Sequence, residues 1–209
     1  MPGRVQCFYD IPIAPKMESV LVRLGGRKNA PLEADFFKML EEGMKRARVV
    51  SHPTGVYLRL KILNRTPDFI GLENGIYFLS KSLSRLLQYS EEAVLMAATV
   101  GREIVALIME EVVHKDAALG VILDAVASQT ADAVLDWMMD YLNSMLAKKG
   151  RMLTKHRYSP GYGDLPLAYQ QPVFEALRLR DLGLELTGKY MLAPEKSVIA
   201  IAGIEARGS

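Results

Sequence analysis

From about Ala117 to Ala147 the chain carries one sustained helical pattern, and this stretch narrows the possible folds more than any other. Val121, Leu123, Val126, Val134, Leu135, Met138, Leu142 and Met145 supply its apolar positions, and Lys148-Lys149-Gly150 closes it with cations and a glycine terminator. The helical pattern already begins at Ser90-Glu91-Glu92, where a capping residue is followed by acids. Breaks near Thr99–Gly101 and Lys115–Gly120 divide the region into a short helix, a middle one and the long one.

The flanks read differently. Val56, Leu58, Leu60 and Ile62 alternate with Tyr57, Arg59, Lys61 and Leu63, which predicts a half-buried strand after the turn His52–Gly55. Arg4–Ile11 and Gly75–Leu79 are further strand candidates, the latter behind a turn at Glu73-Asn74-Gly75. Glu18–Leu24 fits a strand or a short helix equally well. Pro31 introduces a helix over Leu32–Val49, with Phe36, Phe37, Leu40, Met44 and Ala47 at helical spacing. Ser80–Gln88 predicts a short helix and Tyr169–Arg180 another, while Asp181–Thr187, Tyr190–Leu192 and Ser197–Ile204 predict extended segments. Strands at both ends of a helical middle indicate a single α+β domain of 209 residues with a mostly antiparallel sheet.

Composition excludes several functions. Half of the residues are hydrophobic, and the net charge of +2 offers no electrostatic footprint for nucleic acid. The most apolar region, Ala93–Leu146, is interrupted by Arg102, Glu103, Glu110, Glu111, His114, Lys115, Asp116 and Asp124, so no uncharged run reaches membrane-spanning length. The first residues carry no secretory pattern, and a cytoplasmic location without a membrane partner is expected. Cys7 is the only cysteine, which rules out an internal disulfide and a thiolate cluster within one chain.

Catalytic signatures are missing. There is no GxSxG, GxxxxGK[ST] or GxGxxG, and His52, His114 and His156 lie far apart without a second ligand at metal spacing. No catalytic or metal-binding residue is expected. Glu110-Glu111 reads as the polar face of a helix, and Trp137, Met138, Met139 and Tyr141 as core or a partner-facing stripe.

One loop remains, His156–Leu167, which holds two prolines, two glycines and two tyrosines together with Arg157 and Asp164. Pro160 restricts itself and Ser159, and Gly161 and Gly163 allow backbone conformations closed to other residues. Arg157 suits a carboxylate. Tyr158 and Tyr162 offer faces to a planar base or a cation. The backbone around Gly161 can meet polar edges, and Asp132 on the long helix can supply a countercharge for an amine or sulfonium. Together these residues fit a zwitterion carrying a planar base, a description met by S-adenosylmethionine and by other amino-acid nucleotides.

At these residues the sequence resembles the activation (reactivation) domain of cobalamin-dependent methionine synthase, whose Arg-x-x-x-Gly-Tyr signature is matched by Arg157-Tyr158-Ser159-Pro160-Gly161-Tyr162. Gly163–Leu167, Leu184–Thr187, Pro194–Val198 and Asp124–Ala133 look like further family segments in the same order. Looser similarity at Glu18–Gly25 and Ala97–Gly101 extends the resemblance over nearly the whole chain. It implies a C-shaped domain that binds S-adenosylmethionine in a shallow groove. The implied partners are the cobalamin-binding module of a separately encoded methionine synthase, which carries the cobalamin, and a flavodoxin-like electron donor.

By the same resemblance Arg157 holds the ligand's carboxylate, the backbone of Ser159, Pro160 and Gly161 meets the adenine side, Tyr162 lines the groove, and Asp132 faces the amino or sulfonium end. The family's acidic residue shortly before the signature Arg has no counterpart in Arg151–His156, and Leu-Thr-Glu-Ser becomes Leu186-Thr187-Gly188-Lys189. A docking module for a corrinoid protein that does not bind S-adenosylmethionine therefore stands as the alternative.

Overall fold

A computed structural model describes residues 3–27 and 33–207. The long helix, α5, spans Ala117–Ala147, the boundaries its sequence predicts. Asp116 starts it by accepting hydrogen bonds from the N–H groups of Ala118 (3.0 Å) and Leu119 (3.1 Å). By length and composition α5 could cross a membrane, but 61% of its most apolar window is buried inside the fold. It is the central core helix.

Among the described residues seven strands form one sheet in the order β4-β3-β2-β5-β9-β6, with β1 also paired to β2. Their ranges are β1 Gln6–Phe8, β2 Thr54–Thr66, β3 Phe69–Leu72, β4 Tyr77–Leu79, β5 Glu92–Thr99, β6 Arg151–Leu153 and β9 Ser197–Ala206. Every pairing is antiparallel. β7 (Glu185–Leu186) and β8 (Leu192–Ala193) make a separate hairpin. The remaining helices are α1 Met17–Arg23, α2 Ala34–Val50, α3 Lys81–Leu86, α4 Glu103–His114 and α6 Gln170–Ala176. The expected α+β class, antiparallel sheet and flanking helices are all present.

Strand alternation divides the core into two layers. Leu58, Leu60, Leu95, Ala97, Ile199 and Ile201 face α3, α6 and the loop residue Leu165. Tyr57, Val94, Met96, Ala200 and Ala202 face the second half of α5 through Val134, Leu135, Met138 and Leu142. The first half of α5 packs instead on α1, α2 and α4, through residues such as Val20, Leu40, Ile104, Ile122 and Leu123.

Several local expectations are corrected. Ser90–Glu92 does not start a helix; it leads into β5, hydrogen-bonded between β2 and β9. Ala93–Ala98 are buried on both faces, so the strand reads as a continuous apolar run without alternation. Its Ala, Leu and Met content favours helix locally, and sheet pairing overrides that preference. β3 carries no advance signal, being a four-residue strand next to the predicted turn. Glu18–Leu24 resolves as helix, and the predicted helix Tyr169–Arg180 is shortened to α6 because Arg178 takes a left-handed conformation, φ 55°. The first strand shrinks to Gln6–Phe8. Pro31 and Leu32, the predicted start of α2, lie outside the described residues.

Glu111 also departs from expectation. It is not on a solvated face: it is 2% exposed, and its Oε1 accepts from Arg46 Nη2 at 2.6 Å, tying α4 to α2.

Candidate functional site

The strand β6 and its continuation decide where the candidate residues point. Leu153 pairs with Ile204 and Tyr158 with Ile201. Five steps separate the first pair's residues along one strand and only three along the other, so two extra residues bulge from the edge. Thr154, 4% exposed, holds the base of the bulge: its N–H donates to Gly203 O (2.9 Å), its hydroxyl donates to His156 O (2.8 Å), and Gly203 N–H donates to that hydroxyl (3.0 Å). Such bulges redirect side chains at sheet edges. Lys155 and His156 are lifted outward, both exposed.

Arg157 and Tyr158 are neighbours in extended chain and therefore project to opposite faces. Tyr158 packs on the α3/α6 layer. Arg157 reaches α5, where its Nη1 donates to Asp136 Oδ1 and its Nη2 lies 3.6 Å from Asp132 Oδ1. Asp132 and Asp136 are one helical turn apart, so α5 presents both to a single guanidinium. Arg157 is 23% exposed, whereas Asp132 and Asp136 are 46% and 67% exposed.

A cleft of about 1110 Å³ opens at this pairing. One wall is α5, with Asp132, Asp136, Asp140, Trp137 and Met139; the other is Thr154–Arg157, and residues Ile13–Lys16 form the rim. Three carboxylates thus face three fixed cations, Lys16, Lys155 and Arg157. Trp137 is half-buried and stacks on Tyr141 at 5.6 Å with the planes 12° apart, while Phe8 meets it edge-on at 5.1 Å. A zwitterion with a planar base meets complementary charge on both walls of such a cleft, whose size is slightly above the usual range of small-molecule sites.

The structure brings Arg157 and Asp132 together in this cleft. Ser159, Pro160, Gly161 and Tyr162 lie past its lining. Pro160 is buried and Tyr162 is 68% exposed. The loop closes on itself: Gly161 N–H donates to Leu165 O (2.8 Å), Leu165 N–H to Tyr162 O (3.0 Å), and Tyr158 hydroxyl to Tyr162 O (3.2 Å). Gly161 and Gly163 both have positive φ, 95° and 50°, and a Cβ on Gly163 would collide with the Tyr158 hydroxyl.

Asp164 fastens the loop to α3. It accepts from Ser80 Oγ (2.7 Å) and from the N–H groups of Lys81 (2.6 Å) and Ser82 (3.2 Å). The Ser80 hydrogen bond is the main reason that its carboxyl falls from an ordinary 3.8 to about 2, assisted by the bonds from Ser82 and Lys81. A carboxyl depressed on folding adds stability above its unfolded value and loses it as pH falls toward its folded value. Asp164 accordingly stabilises the loop above about pH 4 and ceases to do so near pH 2. In Asp164→Asn the part of the melting-temperature decline between those pH values that this carboxylate causes is expected to disappear. An unchanged acid profile by differential scanning fluorimetry would count against the assignment.

Two features of the cleft escape a reading of the sequence. Asp136 follows Asp132 at i+4, a spacing that places both on one helix face once Arg157 is known to reach it. Arg151 belongs to another cluster, bonded to Glu91 (3.1 Å) and Glu92 (2.7 Å), so of the basic approach to the loop only Lys155 and His156 line the cleft.

No family model matches the sequence, and no curated protein matches it. The fold is similar to that in the crystal structure of the MetH reactivation domain bound to AdoHcy, with a TM-score of 0.67 at 17% sequence identity. The match covers 99% of this chain and 79% of that one, and at this identity the likeness is one of fold.

Proposed function

We propose that this chain reactivates a cobalamin-dependent methionine synthase from outside, binding S-adenosylmethionine and docking on the partner's cobalamin-binding module. The observation that carries the reading is the meeting of Arg157 and Asp132 in one charge-paired cleft, within a fold similar over 99% of the chain to a methionine synthase reactivation domain.

The donor set fits the ligand. Arg157 holds the carboxylate by a charge-assisted fork, and Asp132 answers the ammonium or sulfonium. Trp137 offers an aromatic face, and the carboxylates of α5 supply the negative charge that the Arg151–His156 segment lacks. The corner Ser159–Tyr162 lies past the cleft lining and is assigned to the ligand's adenine end by resemblance alone. When bound, S-adenosylmethionine supplies the methyl group for cob(II)alamin held by the partner, and a flavodoxin-like donor supplies the electron. The chain itself positions the ligand and excludes alternatives.

Isothermal titration calorimetry of the 209-residue protein with S-adenosylmethionine, alone and with the corrinoid partner present, tests the proposal. Saturable binding in either arm is expected, and its absence from both rejects the reading. The engagement of Arg157 by Asp136 favours one second reading, a docking module that does not take the methyl donor. Capture of the corrinoid protein without any binding of S-adenosylmethionine would select it.

A further inference from the structure

Arg157, the residue expected to receive a ligand's carboxylate, already has a carboxylate on it. Its Nη1 donates to Asp136 Oδ1, and Asp132 stands 3.6 Å from its Nη2. One guanidinium thus faces two acids, an excess of one negative charge. The two are not equivalent. Asp132 is the more enclosed and is not within hydrogen-bond distance, whereas Asp136 makes the direct bond from the more exposed position.

We infer that Asp136 is a built-in competitor for the ligand's carboxylate, a specificity-determining residue that occupies the anion anchor of the cleft until a ligand displaces it. The inference rests on the proposed binding of S-adenosylmethionine at Arg157. Nη1 has two N–H donors and gives them to Asp136 Oδ1 and Met139 Sδ (3.7 Å), so a carboxylate that anchors at Nη1 competes with Asp136 for its donor. The displaced Asp136 turns to water without a burial penalty, since it is two-thirds exposed. Asp132, 3.6 Å from Nη2 and without a hydrogen bond to it, stays in place to face the ligand's ammonium or sulfonium. Asp136 therefore lowers affinity for every ligand that anchors through a carboxylate, and leaves ligands without one unpenalised. The cleft becomes selective against weak anionic competitors, such as free amino acids, that bring a carboxylate but no base or sulfonium to offset the exchange.

The test compares Asp136→Asn with the unaltered protein, titrating each with S-adenosylmethionine and with its decarboxylated analogue. Calorimetry and the fluorescence of Trp137, the chain's single tryptophan and part of the cleft wall, give independent readouts. The asparagine is expected to bind S-adenosylmethionine about tenfold more tightly, the size of one charge-assisted hydrogen bond no longer contested. Affinity for the decarboxylated analogue is expected to stay within about twofold. Equal or weaker binding of S-adenosylmethionine by the variant, with binding intact in the unaltered protein, overturns the inference and leaves the functional reading standing. Equal tightening for both ligands also overturns it, since the effect would not depend on the ligand's carboxylate. Failure of both proteins to bind either ligand removes the inference and the functional reading together.

Discussion

Gly203→Ala is expected to destabilise the protein by about 3 kcal/mol, near the upper end for an overpacked core. Gly203 lies inside β9, in register with Ala93 of β5. Its missing side chain is where the turn after α3 sits. An added Cβ would strike the Ser90 hydroxyl, 2.7 Å from Ser90 Cβ and 2.8 Å from Leu87 Cδ2. Ser90 Cβ has little room to retreat, because Ser90 N–H donates to Leu87 O (3.0 Å) at the end of α3 and Glu91 N–H donates to Ile204 O (3.0 Å) of β9. Gly203 also exchanges hydrogen bonds with Thr154, so movement of its backbone would disturb the bulge that aims Arg157. Thermal unfolding should register a fall of roughly 6–12 °C for a chain of this size. A melting temperature within about 2 °C of the unaltered protein would show that the contact relaxes without strain.

Glycine inside a strand often marks close approach by another segment, yet the sequence around 203 cannot say which segment arrives. The approaching turn is more than a hundred residues earlier. The same limit explains which parts of the fold were legible. α5 announces itself because its signals are local: apolar residues at helical spacing, and cations and a glycine at its end. β2 is legible over Val56–Leu63 because one layer of the core differs from the other there in polarity. β5 is not, because burial on both faces removes the alternation that identifies a strand.

The cleft divides along similar lines. Arg157 stands out as a cation beside a rigid loop, and its motif points to an anionic ligand group. Its reach toward α5 depends on the two-residue bulge, which only the pairing of β6 with β9 creates. Without that geometry Asp136 is one more acid on a helix. Glu111 shows the converse: a residue that reads as solvated is buried by a guanidinium from α2, sixty-five positions away.

Arg157→Ala is expected to weaken S-adenosylmethionine binding by about a hundredfold, because two hydrogen bonds from a charged donor are lost together. Arg157→Lys keeps the charge but not the fork, so a loss of about tenfold is expected. The fold should tolerate both changes. Arg157 sits at the sheet edge, and Asp132 and Asp136 are 46% and 67% exposed, so each carboxylate left behind can be solvated in place. The pairing itself contributes at most about 1 kcal/mol to stability, the range of exposed ion pairs. Removing the guanidinium also frees both acids for the ligand's cationic end, which partly offsets the lost anchor and makes the residual binding more sensitive to salt. Calorimetry at two ionic strengths would separate these effects. Unaltered affinity in Arg157→Ala would place the ligand elsewhere than at Arg157, whereas a graded loss from arginine through lysine to alanine, at constant melting temperature, is the pattern that a carboxylate held by Arg157 requires.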